Sequence, residues 1–342
     1  MIETELEALN FHDAPKMVSP EFPGTKAAAA LTQSARTESM VRGGGRMPVV
    51  MDRAFGVTFK DPDGNTFIDL SAGVGVSSVG RCHPKVVAAI REQSESLMHA
   101  MEVNHLLNTP YTAADDVAAV IVEPVPGEGG YVPPSPEFLQ LLRKACDRSG
   151  ALLIVDEVQA GAGRTGKMWS VEHSGVKPDM LTFGKGVGGD VPMAGLVMRS
   201  DLAAKIPDGS APNTFAANSV SAAVALTNIG ILEDPALDLL NRAHTLGLEA
   251  QERIRDFGSP FVGEVRGRGL MIGIELVEDK ATKEPLQGER LGKLMGYLTS
   301  HGVLMIPCGR YTNVMRVMPS LTIPRKLMFK ALDIFGEGLS RL

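Results

Sequence analysis

LLIVDEVQAGAGRTGKMW (Leu152–Trp169) and PDMLTFGKGVGGDVPMAGL (Pro178–Leu196) decide the fold of this chain. Each carries a short apolar run that stops abruptly at polar residues. Ala151 to Val155 halts at Asp156 and Glu157, and Leu181 to Phe183 halts at Gly184 and Lys185. A third such run, AAVIVEP (118–124), stops at Glu123. Strands that are apolar on both sides are buried on both sides, as parallel strands are. Between the runs, SPEFLQLLRKACDRSG (135–150) reads as a helix, with Ser135 as its cap, Glu137 in the first turn and a terminal glycine. Strand alternating with helix predicts an α/β fold with a mainly parallel sheet, whose ligands gather at the carboxyl ends of the strands.

Outward from this centre the pattern changes. Residues 1 to about 46 are polar, with Pro15, Pro20, Pro23 and the run Gly43–Gly45, and read as an arm with one helical piece around Lys26 to Ala35. VVMDRAFGVTFKDPDGNTFIDL (49–70) alternates apolar and polar residues around the turn Asp63-Gly64, which predicts a small meander. A helix opens after His83, with Val86, Val87, Ile90 and Leu97 on one face. Beyond the long apolar helix SVSAAVALTNIGIL (219–232), the segments GRGLMIGIELV, GVLMIPC and NVMRVMPSLTI, with a helix near Glu289 to His301, predict a smaller α+β domain.

Composition narrows the function. The chain has 342 residues, 44% hydrophobic and 22% charged, enough for two domains at about 100–200 residues each. With 34 basic against 40 acidic side chains, the net charge of -6 gives no basic excess for a phosphate backbone or an anionic membrane, so neither nucleic acid nor membrane is expected as a partner. No run approaches the roughly 18 apolar residues that span a bilayer. The three cysteines, Cys82, Cys146 and Cys308, lack paired spacing, which points to a reducing compartment, the cytoplasm, and to no metal site. His83 and His173 lack a ligand at metal spacing and read as structural. The glycine groups at Gly127–Gly130, Gly73–Gly80 and Gly267–Gly269 read as turns, because none opens a helix after a strand with an acid downstream.

Asp156 and Lys185 stand at adjacent strand ends in this reading. Two interpretations are open from these residues alone: a buried ion pair, or a lysine whose lowered pKa suits Schiff-base chemistry beside a carboxylate. Pyridoxal 5'-phosphate needs such a lysine for its aldehyde and a carboxylate to keep its ring nitrogen protonated. Five blocks in order, VEPVPGEGG, LLIVDEVQAGAGRTGKMW, PDMLTFGKGVGGDVPMAGL, NTF and MRVMPSLTI, resemble the signature of the class III aminotransferases, and the likeness runs from about Pro48 to the C-terminus.

The resemblance implies fold type I, with an arm and small-domain meander over residues 1–70, a large cofactor domain over 71–235 and a small domain over 236–342. It implies that Lys185 forms the internal aldimine and carries the proton, and that Asp156 partners the pyridine nitrogen. Val158 would press on the ring, and Gln159 would bond the ring hydroxyl. Thr214 would reach across a homodimer interface to the partner's phosphate. Arg316 would fork onto the substrate carboxylate. Glu123 would be the switch acid, which pairs with an active-site arginine for ω-amino donors and releases it for a dicarboxylate. The implied reaction moves an amino group from an amino acid or ω-amino acid to a 2-oxo acid. A racemase or epimerase on the same scaffold and a non-catalytic, partner-binding paralogue remain alternatives.

One part of the pattern is absent. Between Leu106 and Val117 the chain passes straight to AAVIVEP, where the family carries several strand–helix units, a Ser-Gly-Thr-Glu-like loop around the cofactor phosphate and an aromatic-His-Gly turn. At roughly 30 residues per unit, about 100 residues are missing. The sequence either omits residues of the real polypeptide or belongs to a degraded relative; retention of the other cofactor positions favours omission. Loss of those strands predicts exposed apolar surface beside Glu123 and Asp156.

Overall fold

The computed structural model describes residues 2–37, 49–96, 118–208, 210, 213–216 and 218–342. The expected break between Leu106 and Val117 lies outside the described residues. Among these residues there are three four-stranded sheets.

The first is the sheet expected from the apolar runs. Strands Ala119–Val122, Leu152–Asp156 and Met180–Phe183 lie side by side and parallel, with Ile121 opposite Ile154 and Asp156 opposite Thr182. A fourth strand, Gly195–Met198, is antiparallel to Met180–Phe183, so the sheet is mainly and not wholly parallel. The physical reason is the connection. Residues 184–194 form glycine-rich turns with no helix, and a parallel return needs a crossover of a dozen or more residues. Helix Pro136–Ser149 covers one face, burying Leu139 and Cys146 against Leu153, Val155 and Leu181. It starts at Ser135–Pro136 and stops where Gly150 turns left-handed, φ 75°.

The second sheet is the expected meander, Arg53–Phe55, Thr58–Lys60 and Thr66–Asp69, extended by a parallel strand from far along the chain, Val303–Leu304. Asp61 Oδ1 holds the turn by accepting from Asp63 N (3.0 Å) and Asn65 N (2.8 Å). Asp63 in turn caps helix Thr25–Thr37, accepting from Lys26 N and Ala27 N. The arm packs on its own chain: Leu6 is 1% exposed, Glu3 pairs with Arg242 at 2.9 Å, and Asn10 Oδ1 accepts from Val57 N.

The third sheet, Pro307–Cys308, Val314–Val317, Met271–Leu276 and Val262–Arg268, is antiparallel throughout. Helices Leu239–Asp256, Gly288–Ser300 and Arg325–Leu339 contribute to its core, where Leu246, Ile254, Leu294 and Phe335 meet Ile274 and Val317. The first and last of these helices are not among the elements expected from the sequence. Arg164 ties this unit to the turn that carries Ser78. Fully buried, it donates to the carbonyls of Pro319 and Leu270 and to Ser78 Oγ. Burial pulls its pKa down to about 10, against an opposing effect of Tyr131. No helix of the described residues is long and apolar enough to cross a membrane.

Candidate active site

Lys185 leaves the end of strand Met180–Phe183 in a left-handed conformation, φ 38°, between Gly184 and Gly186. The loop closes tightly: Val187 N donates to Gly184 O and Gly189 N to Lys185 O. A side chain at Gly186 would place its Cβ 2.4 Å from Ser78 Oγ, so glycine is required there. The lysine is half-buried. Desolvation lowers its pKa against the pull of Glu128, Glu123 and Asp156, while Arg316 lowers it further. Glu128, Glu123, Asp156 and Arg316 are thus all within electrostatic reach of Lys185. Among the described residues neither Lys185 nor Asp156 is in an ion pair, so the ion-pair interpretation is not what the structure contains.

Asp156 closes its strand and accepts from Val158 N at 3.0 Å through Oδ1. No described cation sits against it. Val158 lies beside the Lys185 turn, its Cγ1 3.6 Å from the position a Cβ on Gly184 would take. Gln159 is 7% exposed, and its Oε1 is buried with no hydrogen-bond partner. It leans over Gly127, where a Cβ would come 2.1 Å from that oxygen. An unmet buried acceptor costs about 1–3 kcal/mol and calls for an external donor.

Glu157, between these residues, turns the other way. Its two oxygens accept from Ser170 N (2.9 Å) and Val171 N (2.7 Å) at the start of the 3-10 turn Ser170–Ser174. Burial pushes its pKa up to about 7 despite those donors.

Arg316, on strand Val314–Val317, is 5% exposed and forks onto Glu128, Nη1 to Oε1 at 2.6 Å and Nη2 to Oε2 at 2.9 Å. Nη2 also donates to Pro307 O, and Nε has no partner. Burial works to lower its pKa, but Tyr131, Cys308 and Glu128 together hold it above the ordinary value. Desolvation likewise pushes the neighbouring Cys308 thiol up to about 11. The pair is lopsided, for the Glu128 side chain is 69% exposed.

The sequence points to Glu123 as the arginine-pairing acid, and here the structure differs. Glu123 folds back on its own turn and accepts from Gly127 N at 2.8 Å. That turn carries Glu128 out to Arg316. It is fastened by Gly309 N on Glu128 O (3.0 Å) and by Arg266 Nε on Gly130 O (2.9 Å). VEPVPGEGG contains both acids, and only the folded turn distinguishes them. Thr214 lies in an exposed turn, 213–216, and among the described residues makes no hydrogen bond to the group around Lys185.

These residues fit the ring side of pyridoxal phosphate: a half-buried amine of lowered pKa, a carboxylate in no ion pair among the described residues, an apolar wall and an orphaned buried acceptor that a ring hydroxyl could meet.

The comparisons agree. The family described as Aminotransferase class-III matches residues 39–111 and again 102–339. The 4-aminobutyrate aminotransferase of Escherichia coli (strain K12) is 27% identical over 412 aligned positions, covering 88% of this chain and 96% of that protein. As 88% of 342 residues is about 301, about 111 of those 412 positions have no residue here. The 5-aminovalerate aminotransferase of Pseudomonas putida is 37% identical over 229 residues, 66% of this chain and 53% of that protein. The alanine/serine racemase of Pyrococcus horikoshii is 28% identical over 445 positions, 95% of this chain and 92% of that protein. Among solved structures, the ornithine aminotransferase of Toxoplasma gondii ME49 superposes with a TM-score of 0.80 at 24% identity, covering 92% of this chain and 95% of that one. With a family match over most of its length and the fold that goes with it, the chain belongs to the class III aminotransferases, pyridoxal-phosphate enzymes of fold type I.

Proposed function

We propose that this aminotransferase takes the amino group of an ω-amino acid and delivers it to a 2-oxo acid bearing a second carboxylate. The observation that carries this reading is the Arg316–Glu128 fork. A buried guanidinium already holding a carboxylate in bidentate geometry is ready-made for a substrate carboxylate. Its present occupant is mostly exposed, so Glu128 regains water when a substrate carboxylate takes its place on the guanidinium. With Glu128 in place, Arg316 is neutralised and suits a donor that needs no second carboxylate contact. With Glu128 swung out, Arg316 takes the carboxylate next to the oxo carbon of the acceptor, the group that an ω-amino donor lacks. The switch role expected of Glu123 is thus proposed for Glu128. The names of the 4-aminobutyrate and 5-aminovalerate aminotransferases support an ω-amino donor.

Pyridoxal phosphate, when bound, supplies the electron sink for labile bonds at the amine-bearing carbon. In our reading Asp156 keeps the ring nitrogen protonated, Val158 bears on the ring face, and Gln159 Oε1 accepts from the ring hydroxyl. Lys185, whose pKa burial lowers, would hold the cofactor through its aldehyde and carry the proton to and from the substrate carbon. Thr214 serves the phosphate of the neighbouring subunit in a cytoplasmic homodimer, which agrees with its exposure.

The test is borohydride reduction at millimolar pyridoxal phosphate, a concentration that offsets a weak phosphate hold, followed by peptide mapping. The pyridoxyl group is expected on Lys185, and a label on another lysine of active protein overturns the assignment. Paired assays with 5-aminovalerate and a 2-oxo dicarboxylate read the donor and acceptor. The likeness to a racemase supports a second reading. Exchange of the α-hydrogen for deuterium with no 2-oxo product would select it.

A further inference from the structure

Arg316, Gly273 and Arg266 lie side by side across three strands. Antiparallel register sets Arg316 opposite Gly273 and Gly273 opposite Arg266, and directly opposed residues of such a ladder point to one face. The turn that carries Glu128 rests on that face, over the glycine. A Cβ on Gly273 would stand 3.0 Å from Gly130 O and 3.1 Å from Tyr131 Cβ, so the missing side chain is what lets the turn sit this low. The flanking arginines hold it from either side. Arg316 takes the Glu128 carboxylate, and Arg266 Nε donates to Gly130 O at 2.9 Å.

The two arginines differ in what else they hold. Arg316 has its carboxylate from a side chain that is 69% exposed. Arg266, with a side chain only 12% exposed, is engaged by acids of its own sheet: Nη1 donates to Glu264 at 2.7 Å and to Glu275. Two carboxylates already offset its charge, which leaves it little attraction for a third. The turn has two further ties, Gly127 N on Glu123 and Gly309 N on Glu128 O. With its backbone tied at Gly127, Glu128 and Gly130, the turn keeps the Glu128 side chain as its movable part.

We infer that Arg266 is a positioning residue for Glu128. It seats the turn on Gly273, so that the Glu128 carboxylate returns to Arg316 whenever no substrate carboxylate is there. It thereby sets how hard a substrate must compete for Arg316. The role is exerted through the turn and rests on the proposed exchange of carboxylates at Arg316. Loosening the seat lowers the effective concentration of the Glu128 carboxylate at the guanidinium, which favours an incoming one.

The experiment makes Arg266→Gln, Arg266→Lys, Gly273→Ala, Glu128→Ala and the double variant Arg266→Gln/Glu128→Ala in the 342-residue chain. Two quantities are read: deuterium uptake over residues 127–131, and affinity for a 2-oxo dicarboxylate by titration calorimetry. Arg266→Gln should speed uptake at least about tenfold and tighten binding about three- to tenfold. Arg266→Lys, which keeps a donor and a charge beside Glu275, should stay close to the natural protein in both. Gly273→Ala, which lifts the turn with Arg266 intact, should tighten binding as Arg266→Gln does. Glu128→Ala should tighten binding too, and adding Arg266→Gln to it should change nothing further, because Arg266 then has no carboxylate left to position. Unchanged uptake in Arg266→Gln overturns the inference, as does an affinity gain that persists in the Glu128→Ala background. Faster uptake with unaltered affinity overturns it as well, leaving Arg266 a structural tie. Should Arg266→Gln fail to fold, Gly273→Ala decides, and unaltered affinity there is equally fatal. Glu128→Ala that binds the dicarboxylate no more tightly overturns the exchange at Arg316 itself and this inference with it, a failure told apart from the others by that single variant.

Discussion

The carboxylate of Asp156 has no protein cation among the described residues, and that of Glu128 has one it can leave; these two facts set different expectations. Asp156→Asn removes the charge opposite the ring nitrogen and keeps the side chain's size. Turnover should fall at least about a hundredfold, roughly 2.7 kcal/mol in the barrier, with the lysine still labelled by borohydride. Unchanged turnover would assign Asp156 a purely structural role. Glu128→Ala leaves the Arg316 guanidinium buried without its acid. Stability should drop by about 1–3 kcal/mol, and a 2-oxo dicarboxylate should bind more tightly because no fork has to be opened. Titration calorimetry with the acceptor reads the second effect, and weaker binding would mean that the acceptor does not use Arg316. At this scale the sequence is a good guide to types and a poor guide to pairing. Asp156 and Lys185 stand out as candidates because each follows an apolar run at a strand end, whereas Gln159 enters only through the resemblance to the family. Glu128 does not stand out, because its place depends on a turn held by Gly309 and Arg266, residues distant in sequence.

Among elements, the strand Leu152–Asp156 and the 3-10 turn Ser170–Ser174 are joined through Glu157, which gives their contact a pH dependence. The folded carboxyl titrates near 7 and an ordinary glutamate near 4.5. Between those values the folded state holds a proton that the unfolded chain has released. The resulting stability is full below about pH 4.5 and is lost as pH rises through 7, by about 3 kcal/mol at most at 1.36 kcal/mol per unit. Urea unfolding from about pH 5 to 8 should therefore show a falling midpoint in the natural protein and a flatter one in Glu157→Gln; parallel slopes would remove Glu157 as the source. The buried strands and the helices Pro136–Ser149 and Ser219–Leu232 are readable from continuous or periodic apolar residues. The antiparallel strand Gly195–Met198 is not, since a strand's direction is set by the length of its connection and not by its own composition.

At the scale of the whole molecule the two ends of the chain are stitched together. Glu3 accepts from Arg242 and from Arg325 N, and Leu6 is buried at that seam. Leu6→Ala should cost about 2–4 kcal/mol, read from the denaturant midpoint, and a midpoint within error of the natural protein would mean that the arm is not part of the folded unit. The seam continues in the second sheet, where Asp69 pairs in parallel with Leu304. A ribosome making this protein must therefore finish most of the chain before the meander's last strand can find its second neighbour. At about 5–20 residues per second, that strand waits for tens of seconds, a window in which the nascent polypeptide presents an unfinished edge to chaperones and proteases.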